Sequence, residues 1–297
     1  MMRKNTMFMR LHPLVNLLYF LIIMLLTMLY QNPILLGITG ITAFGYSAYL
    51  GGRKQLKGNV CLLPMMFLLG LLNPIFNHRG ETVLFFFRKE PITLEAVLYG
   101  MAAAAMIYDM ILLFEIFQKI MTSEKLYFVL SKLLPMGAIL FTMTLRFVPM
   151  YKEQLKKMRI AQEGIGFDVS QGNIVTKVKN GVELISGLFT WALENALETS
   201  DSMRGRGYGG KGRTYYNSAR FTKLDWKVIC LEGICIAVFL LAMGKRVFTV
   251  QYYPGISWAY QGKFSFLYYG IFFLLAAFPL MLDRKEEIIW HYLKQKI

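Results

Sequence analysis

The chain has 297 residues, of which 56% are hydrophobic, 15% aromatic and only 17% charged, with a mean hydropathy of +0.43. Soluble domains run at about 45–50% apolar and about 25% charged residues, so this balance excludes a disordered chain, a coiled coil and a disulfide scaffold and points to a polytopic membrane protein. Lys and Arg number 33 against 18 Asp and Glu, a net charge of +15. Cys61, Cys230 and Cys235 lie in apolar runs without a CxxC pair, and His12, His78 and His291 are too far apart to form a metal-ligand set.

In chain order, the runs long and apolar enough to span are Pro13–Tyr30, Pro33–Leu50, Val60–Phe76, Glu95–Phe117, Asp225–Gly244 and Ser265–Leu282. Arg3, Lys4 and Arg10 precede the first. No small-residue cleavage site follows it, so it is expected to be a retained helix rather than a signal peptide. With six spans and both ends inside, the inner segments 1–12, 51–59, 118–224 and 283–297 hold 3, 3, 16 and 4 Lys/Arg. The outer loops 77–94 and 245–264 hold 3 each. The positive-inside rule favours this orientation. A seventh apolar run, Phe128–Pro149, carries Lys132, Pro135 and Arg146 and is expected to be re-entrant or to lie at the inner interface. A full span there would put the basic stretch after it outside. Tyr252, Tyr253, Trp258 and Tyr260 suit an interfacial aromatic belt. The chain thus reads as an all-α helical membrane bundle: four spans in 1–117, an inner helical module in 118–224, and a two-span hairpin in 225–297.

The module reads as helical. Ser123 can cap a helix carrying Leu126, Val129, Leu130 and Leu133, which Pro135 ends. Pro149 suits the first turn of a new helix with Tyr151, Leu155, Met158 and Gln162 on one face, stopping at Gly164-Ile165-Gly166. Another helix runs from about Lys179 to Met203 with an apolar stripe of Val182, Ile185, Phe189, Ala192 and Ala196. It stops at Gly205-Arg206-Gly207. Two amphipathic helices, each ended by Gly-x-Gly, form a repeated design; a basic amphipathic helix can also simply bind lipid.

Two patterns imitate nucleotide sites. Gly205-x-Gly207-x-x-Gly210 fits GxGxxG, but a helix precedes it where a strand is required. Gly205-x4-Gly210-Lys211 approaches a P-loop, but Gly212 stands where Ser or Thr must hold magnesium. Asp109, Glu115 and Glu232 are carboxylates within spans, expensive there and therefore functional suspects. The plainer expectation is an inward-facing group paired with a hydroxyl or a basic residue. The basic stretch is explained by topology and anionic lipid rather than by nucleic acid.

Ser202-Met203-Arg204-Gly205-Arg206-Gly207-Tyr208-Gly209-Gly210, followed by Arg213-Thr214-Tyr215, resembles the second signature of the transmembrane T component (EcfT/CbiQ-like) of energy-coupling factor (ECF) ABC transporters. Leu145-Arg146-Phe147-Val148-Pro149 resembles the segment leading into the first coupling helix, and Ala161-Gln162-Glu163-Gly164-Ile165-Gly166-Phe167-Asp168 sits where the first tip belongs. Asn73-Pro74-Ile75-Phe76-Asn77-His78-Arg79-Gly80 and Pro91-Ile92-Thr93-Leu94-Glu95 are similar to a subgroup of that family. The resemblance covers most of residues 70–216.

That resemblance implies a multi-pass scaffold of the prokaryotic cell membrane, with cytosolic termini and no catalytic, cofactor or metal site of its own. It joins two ABC-type ATPases, which hold ATP and Mg, to a small membrane S component, and serves uptake of a vitamin or a cobalt-like metal ion that another subunit selects. Arg204, Gly205, Arg206 and Gly207, with Gly164, Ile165 and Gly166, are the expected ATPase contacts; Ala161, Gln162, Val182, Ile185 and Phe189 are the expected coupling-helix face. Arg206 would pair with carboxylates of one ATPase, which a guanidinium fork suits. The family's usual arginine at the first tip is Ile165 here, so that contact becomes apolar or borrows Arg159. The rival expectations are an S-component-like binding subunit, against which 118–224 counts, and an intramembrane enzyme using Asp109, Glu115 and Glu232.

Overall fold

The first two long helices each open on a proline behind a capping side chain. In the computed structural model, which describes residues 6–87, 90–133, 135–167, 172–208, 221–245, 247–258 and 265–295, a short helix α1 (Met7–Arg10) leads into α2 (Pro13–Leu29), where His12 Nδ1 accepts from Leu14 N at 3.2 Å. Asn32 Oδ1 accepts from Ile34 N at 2.9 Å to start α3 (Pro33–Phe76). Proline fits there because the first-turn N–H has no intrahelical partner. At 44 residues α3 is too long for one crossing, and Gly52 (φ 63°) divides it into arms 33–51 and 53–76.

Next come an antiparallel hairpin β1 (Val83–Phe87) with β2 (Glu90–Thr93) and helices α4 (Leu94–Ile120), α5 (Ser123–Leu133), α6 (Pro135–Gly164), α7 (Ile174–Gly205) and α8 (Lys223–Gly244). A minimal hairpin β3 (Val250–Gln251) with β4 (Ser257–Trp258) precedes α9 (Ser265–Gln295). The chain divides into two compact units, one of Met1–Leu126 with Ala219–Ile297 and one of Tyr127–Ser218.

The first unit is inside-out in polarity. Leu21, Leu25, Phe67, Leu71, Leu240 and Leu241 are exposed, whereas Asn16, Thr39, Ser47, Asn59, Asp109 and Asp283 are buried. Among the described residues four helices, α3, α4, α8 and α9, are long and apolar enough to cross a membrane, and α2 is a shorter apolar helix. An apolar exterior around paired polar groups is what a bilayer demands. α3 and α4 meet through glycines: a Cβ on Gly100 would overlap the Gly70 carbonyl and lie 2.7 Å from Asn73 Cβ. Asn73 Nδ2 then donates to Ala96 O at 3.1 Å.

The N-terminal segment is locked into this unit. Phe8 is fully buried, its N–H donating to Asp283 Oδ1 at 2.9 Å. His12 N donates to Asp225 Oδ1 at 2.8 Å, and Lys125 Nζ donates to Met9 O. Tyr46 Oη donates to the other Asp283 oxygen at 2.8 Å.

The β1–β2 region explains why two separated sequence segments look alike in kind. Thr93 Oγ1 donates to Arg79 O at 2.7 Å, and Thr82 Oγ1 donates to Glu95 Oε1 at 2.7 Å. Gly80 (φ 137°) has no room for a Cβ against Thr93 and Glu95. The 73–80 and 91–95 segments are thus two sides of one clasp.

Three sequence expectations change. Tyr252 does not face lipid: it is 7% exposed and its Oη donates to Gln31 O at 2.6 Å, closing the loop onto the start of α3. The Trp258 side chain and Tyr260 lie outside the described residues. No new helix starts at Pro149: α6 runs through it from Pro135, giving up one backbone hydrogen bond. α7 begins at Ile174 rather than near Lys179, because Asn173 Oδ1 accepts from Ile174 N at 2.7 Å and caps the helix there.

In the second unit α6 and α7 pack antiparallel. Met158 lies opposite Gly187, and Tyr151 meets Trp191 edge-on with centroids 5.9 Å apart. The α6 face Tyr151, Leu155, Met158 and Gln162 is half-buried against this contact. On α7 the buried residues are Asn180 and Leu184, whereas Val182, Ile185 and Phe189 are each more than 60% exposed. The apolar stripe therefore points away from α6.

Candidate functional site

The two helix ends of the second unit are built alike. At the end of α6, Gly166 N donates to Glu163 O at 3.2 Å and Phe167 N to Gln162 O at 2.9 Å, with Gly166 at φ 87°. At the end of α7, Gly207 N donates to Arg204 O at 2.9 Å and Tyr208 N to Met203 O at 3.1 Å, with Gly207 at φ 74°. Each is a Schellman closure, in which a left-handed residue turns the chain and two amides cap the last carbonyls. The left-handed position explains Gly166 and Gly207.

This closure sets an exact register. Ile165 and Arg206 occupy the same cap position, Gly164 and Gly205 precede them, and Phe167 and Tyr208 follow. Gly164 and Gly205 end their helices, yet a Cβ on either would meet nothing within 4 Å. Glycine at a helix end costs up to about 1 kcal/mol against alanine, and nothing among the described residues needs the space. Sequence reading identified the Gly-x-Gly pairs but missed the aromatic that follows each. The signal was present as Gly-x-Gly-Phe and Gly-x-Gly-Tyr.

The ends differ in charge. Ile165 is 71% exposed and Phe167 is exposed beside it. Arg159, the basic residue nearest that tip, donates from Nε to Glu163 Oε1 at 2.9 Å on its own helix. The α7 tip is basic: Arg204 and Arg206 are exposed, and Arg206 lines a cleft of about 550 Å³ with Arg146, Asn195, Glu198, Ser202 and Tyr208. Ala161 is exposed and Gln162 half-buried near the α6 tip. Gly209, Gly210, Lys211, Gly212 and Arg213-Thr214-Tyr215 lie outside the described residues. A helix, not a strand, precedes Gly205.

Two of the three span carboxylates, Asp109 and Glu115, have separate partners among the described residues. Thr39 Oγ1 donates to Asp109 Oδ2 at 2.8 Å. Glu115 takes Lys119 Nζ at 2.7 Å and Ser47 Oγ at 3.2 Å. Glu232 is 4% exposed, with Oε1 buried and unpartnered. No hydrogen bond joins any two of the three among the described residues, so they do not form a constellation. Among the described residues no group of three or more His, Cys, Asp or Glu could hold a metal ion.

A bundle with an apolar exterior, joined in one chain to a helical hairpin with exposed glycine-flanked ends, defines a multi-pass membrane component with a second helical unit. The chain belongs to the family described as cobalt transport protein, CbiQ, which it matches over residues 4–216. Membership makes it an EcfT/CbiQ-like transmembrane component of the cell membrane rather than an enzyme.

Its relatives include the energy-coupling factor transporter transmembrane protein EcfT of Lacticaseibacillus paracasei, 35% identical over 107 residues, covering 36% of this chain and 40% of that protein. EcfT 1 of Listeria monocytogenes is 34% identical over 106 residues, covering 35% and 38%. EcfT of Bacillus subtilis is 38% identical over 93 residues, covering 31% and 35%. These matches span well under half the length of each relative.

Proposed function

We propose that the chain is the coupling scaffold of an ECF-type importer, with its second unit on the cytosolic side and each helix tip docked in one of two ATPases. The relatives' description as energy-coupling factor transporter transmembrane proteins supports this reading. The observation that carries it is the unused clearance at Gly164 and Gly205. Space kept at the end of two helices, and occupied by nothing among the described residues, fits the close approach of another protein's surface. Antiparallel packing puts the tips at opposite ends of a hairpin roughly 45 Å long at the α-helical rise, which suits one partner per tip.

Arg206 enters a groove lined by carboxylates, where its planar fork makes paired hydrogen bonds. Truncating one side of such a pair costs about 2–5 kcal/mol. Ile165 fills an apolar groove on the other ATPase, so the two ATPases differ at this contact. The exposed stripe of Val182, Ile185 and Phe189 on α7, with exposed Ala161 on α6, receives a small substrate-binding membrane subunit, whereas Gln162 faces the α6–α7 contact. That subunit selects the cargo, a vitamin or a metal ion. ATP and Mg are held by the ATPases. The Lys and Arg excess in the inner segments supports a cytosolic location for both termini.

Copurification tests the reading. Tagged chain brings down two ATPases, Arg206→Glu releases at least one, and Ile165→Ala weakens the other. Release by Arg206→Ala with no effect of Ile165→Ala sinks the assignment of the α6 tip. Retention of both ATPases by Arg206→Glu, or labelling of residues near 170 or 210 only from outside intact cells, sinks the whole reading.

A further inference from the structure

The first unit contains a cavity of about 530 Å³ between the two arms of α3, α4 and the β3–β4 loop, lined by Gly37, Gly40, Met66, Ala105 and Tyr252 among others. Its walls are almost wholly apolar, and Asp109 is the charged residue on them. Asp109 is 2% exposed and lies about 22 Å along α4 from Leu94 at the helical rise. Its Oδ2 accepts from Thr39 Oγ1 at 2.8 Å, while its Oδ1 receives no hydrogen bond among the described residues. Gly40 lets that oxygen lie against α3, since a Cβ there would stand 2.8 Å from Oδ1. No ion pair engages Asp109 among the described residues.

A carboxylate this deep is costly without a second partner. The chain supplies one hydroxyl, and the other oxygen lies beside Gly40, which with Asp109 belongs to the cavity wall. Sites of about 300–1,000 Å³, apolar with a few placed polar groups, are the usual form of a small-molecule pocket. The depth is too great for a lipid headgroup anchored at the interface. We propose that this cavity binds a compact organic cation, an amine with an apolar body, whose N–H group is received by Asp109 and whose body fills the space between the arms of α3 and α4. Val250, Tyr252 and Ile256 line the cavity from the β3–β4 loop, and exposed Gly37, Ile41 and Leu98 line it from α3 and α4. The site is separate from the helix tips and does not depend on their role.

The test uses the full chain in phosphatidylcholine nanodiscs with radiolabelled adamantylamine as the probe. Saturable binding near one per chain is expected, with neutral adamantanol failing to compete. Asp109→Asn weakens binding at least about tenfold, the scale of a lost charge-assisted bond. Gly37→Leu, at a position where a Cβ meets nothing within 4 Å, fills the cavity while leaving the Asp109–Thr39 pair in place, and abolishes binding without loss of folded protein. Adding phosphatidylethanolamine to the discs leaves binding unchanged. Equal binding by amine and alcohol, retention in both variants, competition by phosphatidylethanolamine, or no saturable binding to the intact chain overturns the proposal.

Discussion

Substituting alanine at the four tip glycines should give effects of opposite sign within one motif. Gly207 (φ 74°) and Gly166 (φ 87°) hold a left-handed conformation, and a Cβ on either meets nothing within 4 Å. Alanine there suffers backbone strain alone, about 1–2 kcal/mol. Gly205 and Gly164 are the last residues of their helices, also with open space around a Cβ. Alanine there gains helix propensity, up to about 1 kcal/mol. The reporters are the amides of Gly207 and Tyr208, bonded to Arg204 O and Met203 O at 2.9 and 3.1 Å, and their counterparts at Gly166 and Phe167.

With about 1.4 kcal/mol per tenfold change in opening, Gly207→Ala and Gly166→Ala should speed exchange of their tip amides by about 5- to 30-fold, while Gly205→Ala and Gly164→Ala slow it by up to about 5-fold. Hydrogen exchange read by mass spectrometry on the solubilised chain measures both. Unchanged exchange in Gly207→Ala, or faster exchange in Gly205→Ala, refutes the Schellman assignment. The docking reading adds a second outcome for the same variant: Gly205→Ala firms the tip yet captures less ATPase.

Gly100→Leu drives a side chain into the Gly70 carbonyl and Asn73; overpacking of this kind costs about 1–3 kcal/mol or more, read as a lower aggregation temperature in detergent, whereas Gly58→Ala, inside α3 with open space around its Cβ, should stabilise by up to about 1 kcal/mol. Tyr46→Phe strips Asp283 Oδ2 of its 2.8 Å donor and should destabilise by about 1–3 kcal/mol. The same measurement on Phe8→Ala, which empties a fully buried ring site, should give about 3–5 kcal/mol.

Tyr252 gives a pH prediction: burial, with a smaller contribution from Tyr99, pushes its phenol up to about 12. Its folded value exceeds the unfolded one, so its contribution is complete below about pH 10 and is lost as pH rises towards about 12. Stability measured at pH 9 and pH 11 should fall less in Tyr252→Phe than in the native chain; an equal fall would place that phenol in solvent.

Apolar helices were legible because long apolar runs have few alternative readings, but not that Pro33–Leu50 and Val60–Phe76 are arms of one helix kinked at Gly52. The helix ends after Gly164 and Gly205 were legible because glycine is the residue that turns left-handed. Asp109's hydroxyl partner was legible in kind but not in identity, since nothing local links residue 109 to Thr39. Pro149 misled because one lost backbone bond does not stop a helix that is held along its length. Asn173 capped α7 five residues earlier than the apolar periodicity suggested, since the first turn of that helix is exposed and carries no packing signal. The inward turn of Tyr252 depends on Gln31, more than two hundred residues away, and aromatic enrichment alone could not distinguish it from a residue at the lipid boundary.

The bond from Phe8 to Asp283 joins residues 275 positions apart. A ribosome that has delivered the first helix must still make almost everything else before that amide finds its acceptor. The opening residues therefore wait, with an unsatisfied N–H and an aromatic ring in need of shelter, until the closing helix arrives. Completion of this bundle waits for α9, and a chain lacking α9 would be marked by a loose segment around Phe8 as much as by the missing helix.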